Sequence, residues 1–257
     1  MKQKKEEKME TQVAMKEPTN AVSVSHAMTD SGITSSDLII PKLLLMQNTS
    51  ESVGDGAAKL CDVINSQTLE VIGGLNTPVE IIPLKLVKTW RIYDMSGGQP
   101  EFMRQEAVTP ANVNLPWDGV EEGITIRRDL CMNFHVLLLN DVKKGEAFPC
   151  VVSFKRTSMQ AGKQLATHLF KMAALGRLPY SQSLELKVSK KKQETNTYGI
   201  FELGKGTPLT SEHQEVAAKW VDMLQSMTYK VDDDADKEAP AKVAAPIVVG
   251  GSSDMKF

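Results

Sequence analysis

The feature that most constrains this chain is a change in the spacing of its apolar residues near residue 158. Before it, apolar side chains alternate or form short branched runs, as strands require. After it, Met159, Leu165, Leu169, Met172 and Ala173 recur three and four residues apart, as one face of a helix requires. Lys163, Thr167 and Lys171 fall on another face of that helix. Gly176 and Pro179 end it.

Strands precede the switch. Residues 60–64 and 68–72 read as a hairpin around Asn65-Ser66-Gln67. Residues 79–92 read as one long strand, with Pro83 marking an edge or a bulge. Residues 97–123 hold Pro100, Pro110, Pro116 and Trp117 and read as loop. A strand region then starts at Ile124-Thr125-Ile126-Arg127-Arg128 and runs on through residues 130–139, and residues 148–154 form another. After the helix, Leu184-Glu185-Leu186-Lys187-Val188 alternates strictly and pairs with residues 198–203. A last helix opens near Ser211, with Gln214 in capping-box spacing and Val216, Trp220, Met223, Leu224 and Met227 as its apolar stripe. The order is many strands, one helix, two strands, one helix. It predicts an α+β chain, mainly antiparallel β, closed as a small barrel with an inserted and a C-terminal helix.

Polar arms flank this region. Residues 1–35 and 231–257 lack apolar period and are expected to be disordered, leaving one domain over 36–230. The C-terminal arm carries Asp232, Asp233, Asp234 and Asp236 and stops at Phe257. Acidic residues and a terminal aromatic of this kind can occupy a basic groove or recruit partners. No apolar stretch approaches the roughly 18 residues of a membrane span, and no secretory h-region follows the N-terminus. Three widely spaced cysteines, Cys61, Cys131 and Cys150, form no CxxC pair. A reducing, cytoplasmic setting is expected, without membrane partners.

The formal net charge is −2, which does not announce a polyanion partner. The distribution does. Residues 153–192 carry Lys155, Arg156, Lys163, Lys171, Arg177, Lys187, Lys190, Lys191 and Lys192 against Glu185 alone. Residues 94–122 and 210–239 are acidic in compensation. Segregated lysine and arginine release counterions from a nucleic-acid backbone. The same run also fits a solvated helix face and a charged hairpin tip. Aromatic residues sit beside cations: Trp90 and Tyr93 flank Arg91 after Lys88, Phe154 precedes Lys155, and Tyr198 faces the lysine run. Single-strand binders combine such π-faces and cations. The competing reading is core packing, and it fits Phe154 best.

Other constellations are weak. Cys131, His135 and Cys150 lack a fourth metal ligand and read as buried structural residues. Gly204-Lys205-Gly206-Thr207 falls short of a phosphate loop. Nothing marks an enzyme, a metal or a cofactor.

The segments Asp37-Leu38-Ile39-Ile40-Pro41-Lys42, Glu80-Ile81-Ile82-Pro83-Leu84 leading to Trp90, and Val152-Ser153-Phe154-Lys155-Arg156-Thr157-Ser158, with the acidic tail, resemble phage-encoded single-stranded DNA-binding proteins over residues 37–230. The resemblance implies an oligonucleotide-binding (OB) barrel that coats single strands during replication or recombination, with a regulatory tail. About 20 residues separate Asp236 from Phe257, which departs from tails whose acids directly precede the terminal aromatic. The reading assigns phosphate contacts to Lys155, Arg156, Lys163, Lys171, Lys187, Lys190, Lys191 and Lys192, base stacking to Trp90, Tyr93 and Tyr198, and further nucleic-acid contacts to Lys88 and Arg91, converging in one trough. Single-stranded DNA is the expected partner, replication or recombination proteins can meet the tail, and self-association is left open. The alternatives are a phage structural or host-takeover protein docking an acidic partner, and an annealing or nuclease-associated recombination protein.

Overall fold

Pro41 splits the apolar entry segment into Ile39–Ile40 (β1) and Lys42–Leu45 (β2), because a residue without an amide hydrogen interrupts a ladder. The computed structural model describes residues 37–194, 196–226 and 230–231. The arm expected over residues 1–35, and Asp232, Asp233, Asp234, Asp236 and Phe257, lie outside the described residues. One helical turn, Glu51–Gly54 (α1), leads to the hairpin Val63–Asn65 (β3) and Val71–Gly73 (β4). The Asn65 side-chain oxygen accepts the amides of Gln67 and Thr68 and builds that turn.

Val79–Asp94 (β5) is followed by Glu101–Ala107 (β6), Asp118–Glu121 (β7) and Ile124–Leu138 (β8). Two strands therefore replace the loop expected over residues 97–123. They are edge strands paired to the far ends of β5 and β8, exposed enough that no buried face imposes alternation on them. The bulge anticipated at Pro83 lies between Pro83 and Lys85. Leu139–Lys144 (α2) then turns the chain into Cys150–Phe154 (β9). Met159–Ala174 (α3), the hairpin Gln182–Gln193 (β10) and Asn196–Pro208 (β11), and Ser211–Ser226 (α4) complete the fold. The side chain at the start of α4 that accepts a backbone amide is Thr210, from His213, one residue ahead of the expected Ser211. Lys230–Val231 (β12) returns to pair in parallel with β1.

The main sheet runs β11-β10-β5-β8-β9-β2-β3-β4 and curls into a half-barrel. Its neighbours are antiparallel except β2 with β9. The gap between β2 and β11 is bridged by side chains. The Gln47 amide donates to the Gly199 carbonyl at 3.1 Å and its oxygen accepts the Gly199 N–H at 3.0 Å. Asn48 donates to the Thr197 carbonyl. Gly199 permits this approach, since a Cβ there would lie 3.0 Å from the Cys61 sulfur.

Alternation along β8 sorts its side chains between two cores. Met132, Phe134 and Val136 face inward with Phe154, Leu184, Leu186 and Phe201. The Phe134, Phe154 and Phe201 rings meet edge to face at 5.6 and 5.8 Å. Leu137 faces the other way, with Ile82, Leu84 and Val151, and is covered by Ala217 and Leu224 of α4. Burial on both faces explains why this strand reads as an unbroken apolar run. Helix α3 seats on the inner core through Ala161, Gly162 and Leu165.

Two outcomes follow from this packing. A Cβ at Gly162 would stand 2.7 Å from the Phe154 Cβ. Gly162→Val is expected to destabilise the fold by roughly 1–3 kcal/mol through overpacking, read as a lowered midpoint in urea. His135 is buried, and that burial, assisted by the charge of Lys85, holds its imidazole down to about 4. The unfolded chain therefore binds a proton that the fold refuses between about pH 6.5 and about pH 4. Stability from this site is complete above that window and falls as pH drops through it, by about 3 kcal/mol. His135→Gln should flatten that part of the stability–pH curve in urea titrations.

Candidate nucleic-acid interface

The far halves of β5 and β8, with β6 and β7, form a four-stranded arm whose two faces differ. Register decides which side chain lies on which. Tyr93 pairs with Arg127, and Arg91 with Asp129. A bulge between Ile92 and Tyr93 sets Phe102 of β6 opposite Tyr93. Phe102, Tyr93, Arg127, Arg91 and Asp129 therefore share one face. The opposite face buries Trp90, Ile92 and Ile126 against Val108, Ile124 and Leu130. An ion-pair chain runs from Glu106 to Arg104 at 2.7 Å, then to Glu121, and from Glu121 to Arg128 at 2.6 Å, tying β6, β7 and β8 together. Hydrogen bonding from Arg104 keeps the Glu121 carboxyl below its ordinary value, so that link stays ionised.

On the first face, guanidinium groups lie over rings. The Arg91 carbon is 4.8 Å from the Phe102 centroid, and Arg127 and Arg156 are 5.6 and 5.9 Å from the Tyr93 centroid. The two rings touch edge to face at 6.0 Å. Asp129, 3% exposed, is the anchor. It accepts Nε and Nη2 of Arg156, each at 2.6 Å, and stands 3.5 Å from Arg127 Nε. Arg156 holds a left-handed backbone at φ 47°, which costs an ordinary residue about 1–2 kcal/mol. Arg91, Arg127 and Arg156 share this face with Asp129 and with exposed Asp118, the register partner of Arg127, so three cations stand against two carboxylates. Burial raises the Tyr93 hydroxyl above its usual value, so the ring stays neutral and its π-face is not opposed by a phenolate charge. Toward the barrel, Ser153 donates to Asn133, which donates to Thr89. The strip thus offers fixed cations, flat rings and hydrogen-bonding groups, a chemistry suited to phosphates and bases.

The structure gathers Arg91, Tyr93 and Arg156 here, with Lys155 next in the chain, and separates the other expected contacts. Trp90 is core: its indole N–H donates to the Asn112 carbonyl at 3.1 Å, leaving no open ring for a base. Lys88 lies on the Trp90 side of the strand, because side chains two apart share a face. Lys163 and Lys171 project from α3, which packs on the inner core and not on the arginine face. Lys187 pairs with Glu185 at 3.1 Å and Lys191 with Glu202 at 3.6 Å. Lys190 and Lys192 alternate with Lys191 and so point to the other side of the hairpin, while half-buried Tyr198 faces Lys191. A single trough holding every expected cation is therefore not what the fold builds. Sequence reading missed Arg127, Phe102 and Asp129. The Arg127-Arg128 pair was visible, but only register tells that the first joins the open face and the second the ion-pair face.

All three cysteines are buried, with no disulfide among them. Among the described residues no helix is long and apolar enough to cross a membrane. Fold and site together define a barrel-like α+β protein bearing an arginine- and aromatic-lined β arm. The chain belongs to the Pam3 phage gp34-like protein family, whose model matches residues 9–230. No curated protein and no solved structure matches it.

Asp129 is the carboxylate on which the row converges. Asp129→Asn should lower the unfolding free energy by roughly 1–3 kcal/mol, because hydrogen-bonded charges lose their counter-charge. Chemical denaturation of the two proteins side by side measures it.

Proposed function

We propose that this protein binds single-stranded DNA without sequence preference, across the face formed by Phe102, Tyr93, Arg127 and Arg156. The observation that carries the reading is the stacking of three guanidinium groups on two aromatic rings around one buried carboxylate. Strand order supports it. Taken alone, β5, β8, β9, α3, β10 and β11 run strand, strand, strand, helix, strand, strand, with the spatial order fifth, fourth, first, second, third. That order agrees with the strand order of an OB barrel apart from its closing pair, third strand with fifth, and so supports the reading. In an OB barrel the second and third strands and the first and last hairpin loops carry the ligand. Here the arginine face lies on the counterparts of the first two strands, beside the arm that fills the first loop. Lys190, Lys192 and Tyr198 sit at the last hairpin. In this reading Arg127 and Arg156 meet phosphates and the rings of Tyr93 and Phe102 meet bases. The protein acts in phage DNA replication or recombination within the host cytoplasm, as a binding protein and not as a catalyst.

Fluorescence anisotropy with oligo-dT across a salt series tests the reading. Arg127→Ala should weaken binding about tenfold and shallow the log–log salt slope by about 0.7, one phosphate contact. Tyr93→Ala should cost about 1–3 kcal/mol of stacking, a loss of roughly 5- to 150-fold. Lys88→Ala, on the other side of the strand, should change little. Wild-type affinity in both Arg127→Ala and Tyr93→Ala would exclude this face.

A further inference from the structure

Two surfaces, one bordering the arginine row and one apart from it, bare large apolar side chains and differ in charge. The first is the outer edge of the arm. Between residues 94 and 122 six acidic residues stand against Arg104 alone. Glu106 and Glu121 are held by arginines within the arm, whereas Asp118 and Glu122, at the β7 edge, are exposed, and exposed Glu101 lies on β6 at the opposite edge. At the edge strand β7, Trp117 is 54% and Val120 71% exposed. The second surface is the solvent face of α3 and the turn after it. Lys163, Lys171 and Arg177 are exposed there, and Phe170 is 74% and Leu175 70% exposed. Phe170 stands on the helix face of Lys163, seven residues on. Large apolar side chains bared in this way, rimmed by charge, mark interaction surfaces.

We propose that copies of this chain associate head to tail, with the acidic arm edge of one copy seated on the basic end of α3 in the next. The occupant is a second copy because one chain carries both halves of a complementary pair. Its near-neutral total of −2 conceals two oppositely charged patches, which attract between molecules without net repulsion. Exposed Leu175 and Leu178 beside Phe170 give the α3 surface an aliphatic part that suits a protein partner. A contact between two different patches repeats from copy to copy, giving an open row unless its rotation closes. Such a contact borders the arginine face, since Asp118 and Val120 pair with Arg127 and Thr125.

Sedimentation velocity of the full chain tests the proposal. The wild-type mass should rise above that of one chain as concentration increases and return toward it in high salt. Phe170→Glu and Trp117→Lys each destroy one half and should each sediment as single chains. An equimolar mixture of the two should form a two-chain complex and nothing larger, because each variant retains the half that the other lacks. Leu175→Glu provides a second lesion in the same half as Phe170→Glu, should either substitution disturb folding. A wild-type chain that stays single at high concentration overturns the proposal. So does a mixture that stays single while the wild type associates, since the contact would then be symmetric. A loss of oligo-dT affinity in Phe170→Glu, at concentrations where the wild type is single, overturns it by assigning α3 to DNA.

Discussion

The antiparallel pairing of β5 with β8 is the constraint on which the rest of the molecule depends. Both strands are long enough to serve two structures. Their Val79 and Leu138 ends form the centre of the half-barrel, and their Asp94 and Ile124 ends form the arm. Because side chains alternate, one register decides four environments: the inner core, the surface under α4, the arginine row and the small core beneath the arm. A slip of one residue would put Trp90 where Arg91 lies and Arg128 where Arg127 lies. The aromatic–cation row and the hydrophobic face behind it would be lost together.

Within the arm, internally paired charge and crowded arginine charge are divided between faces. The hydrophobic face, with the chain of Glu106, Arg104, Glu121 and Arg128, satisfies its own charges and joins three strands. The other face gathers three arginines against the carboxylates of Asp129 and Asp118. Asp129 makes such crowding tolerable, because buried cations of like sign otherwise repel strongly in a medium less polarisable than water. It also holds Arg156 in a backbone conformation that non-glycine residues seldom occupy. Strain of this kind persists only where the surroundings enforce it.

Closure of the barrel shows a different economy. The chain fills the space between β9 and β11 with β2, which pairs with β9 through backbone atoms. Toward β11 the Gln47 amide supplies a donor and an acceptor in place of a neighbouring strand. The hydrophobic interior is thereby sealed on a side where a strand edge would otherwise face water.

Much of this architecture was legible in the sequence. The long branched run of β5, the change of period before α3, the strict alternation of β10 and the stripe of α4 each report one element, because each buries one side of itself. Local charge segregation was equally plain, and so were Tyr93 and Arg156. What period cannot convey is partnership. β6 and β7 were hidden, since edge strands with little burial carry no alternation. Trp90 was ambiguous beside Arg91 because adjacent residues point oppositely, and only the register with Leu130 and Asp129 tells which is core. Arg127, Asp129 and Phe102 come from strands that meet only in three dimensions, and the lysines that looked continuous in the chain are parted by a helix seat and a hairpin pleat. Side-chain period and charge are properties of a segment by itself, so sequence determined the elements and the family of chemistry. Convergence of side chains from different segments depends on long-range pairing, so tertiary structure alone decided which cations and rings share a face.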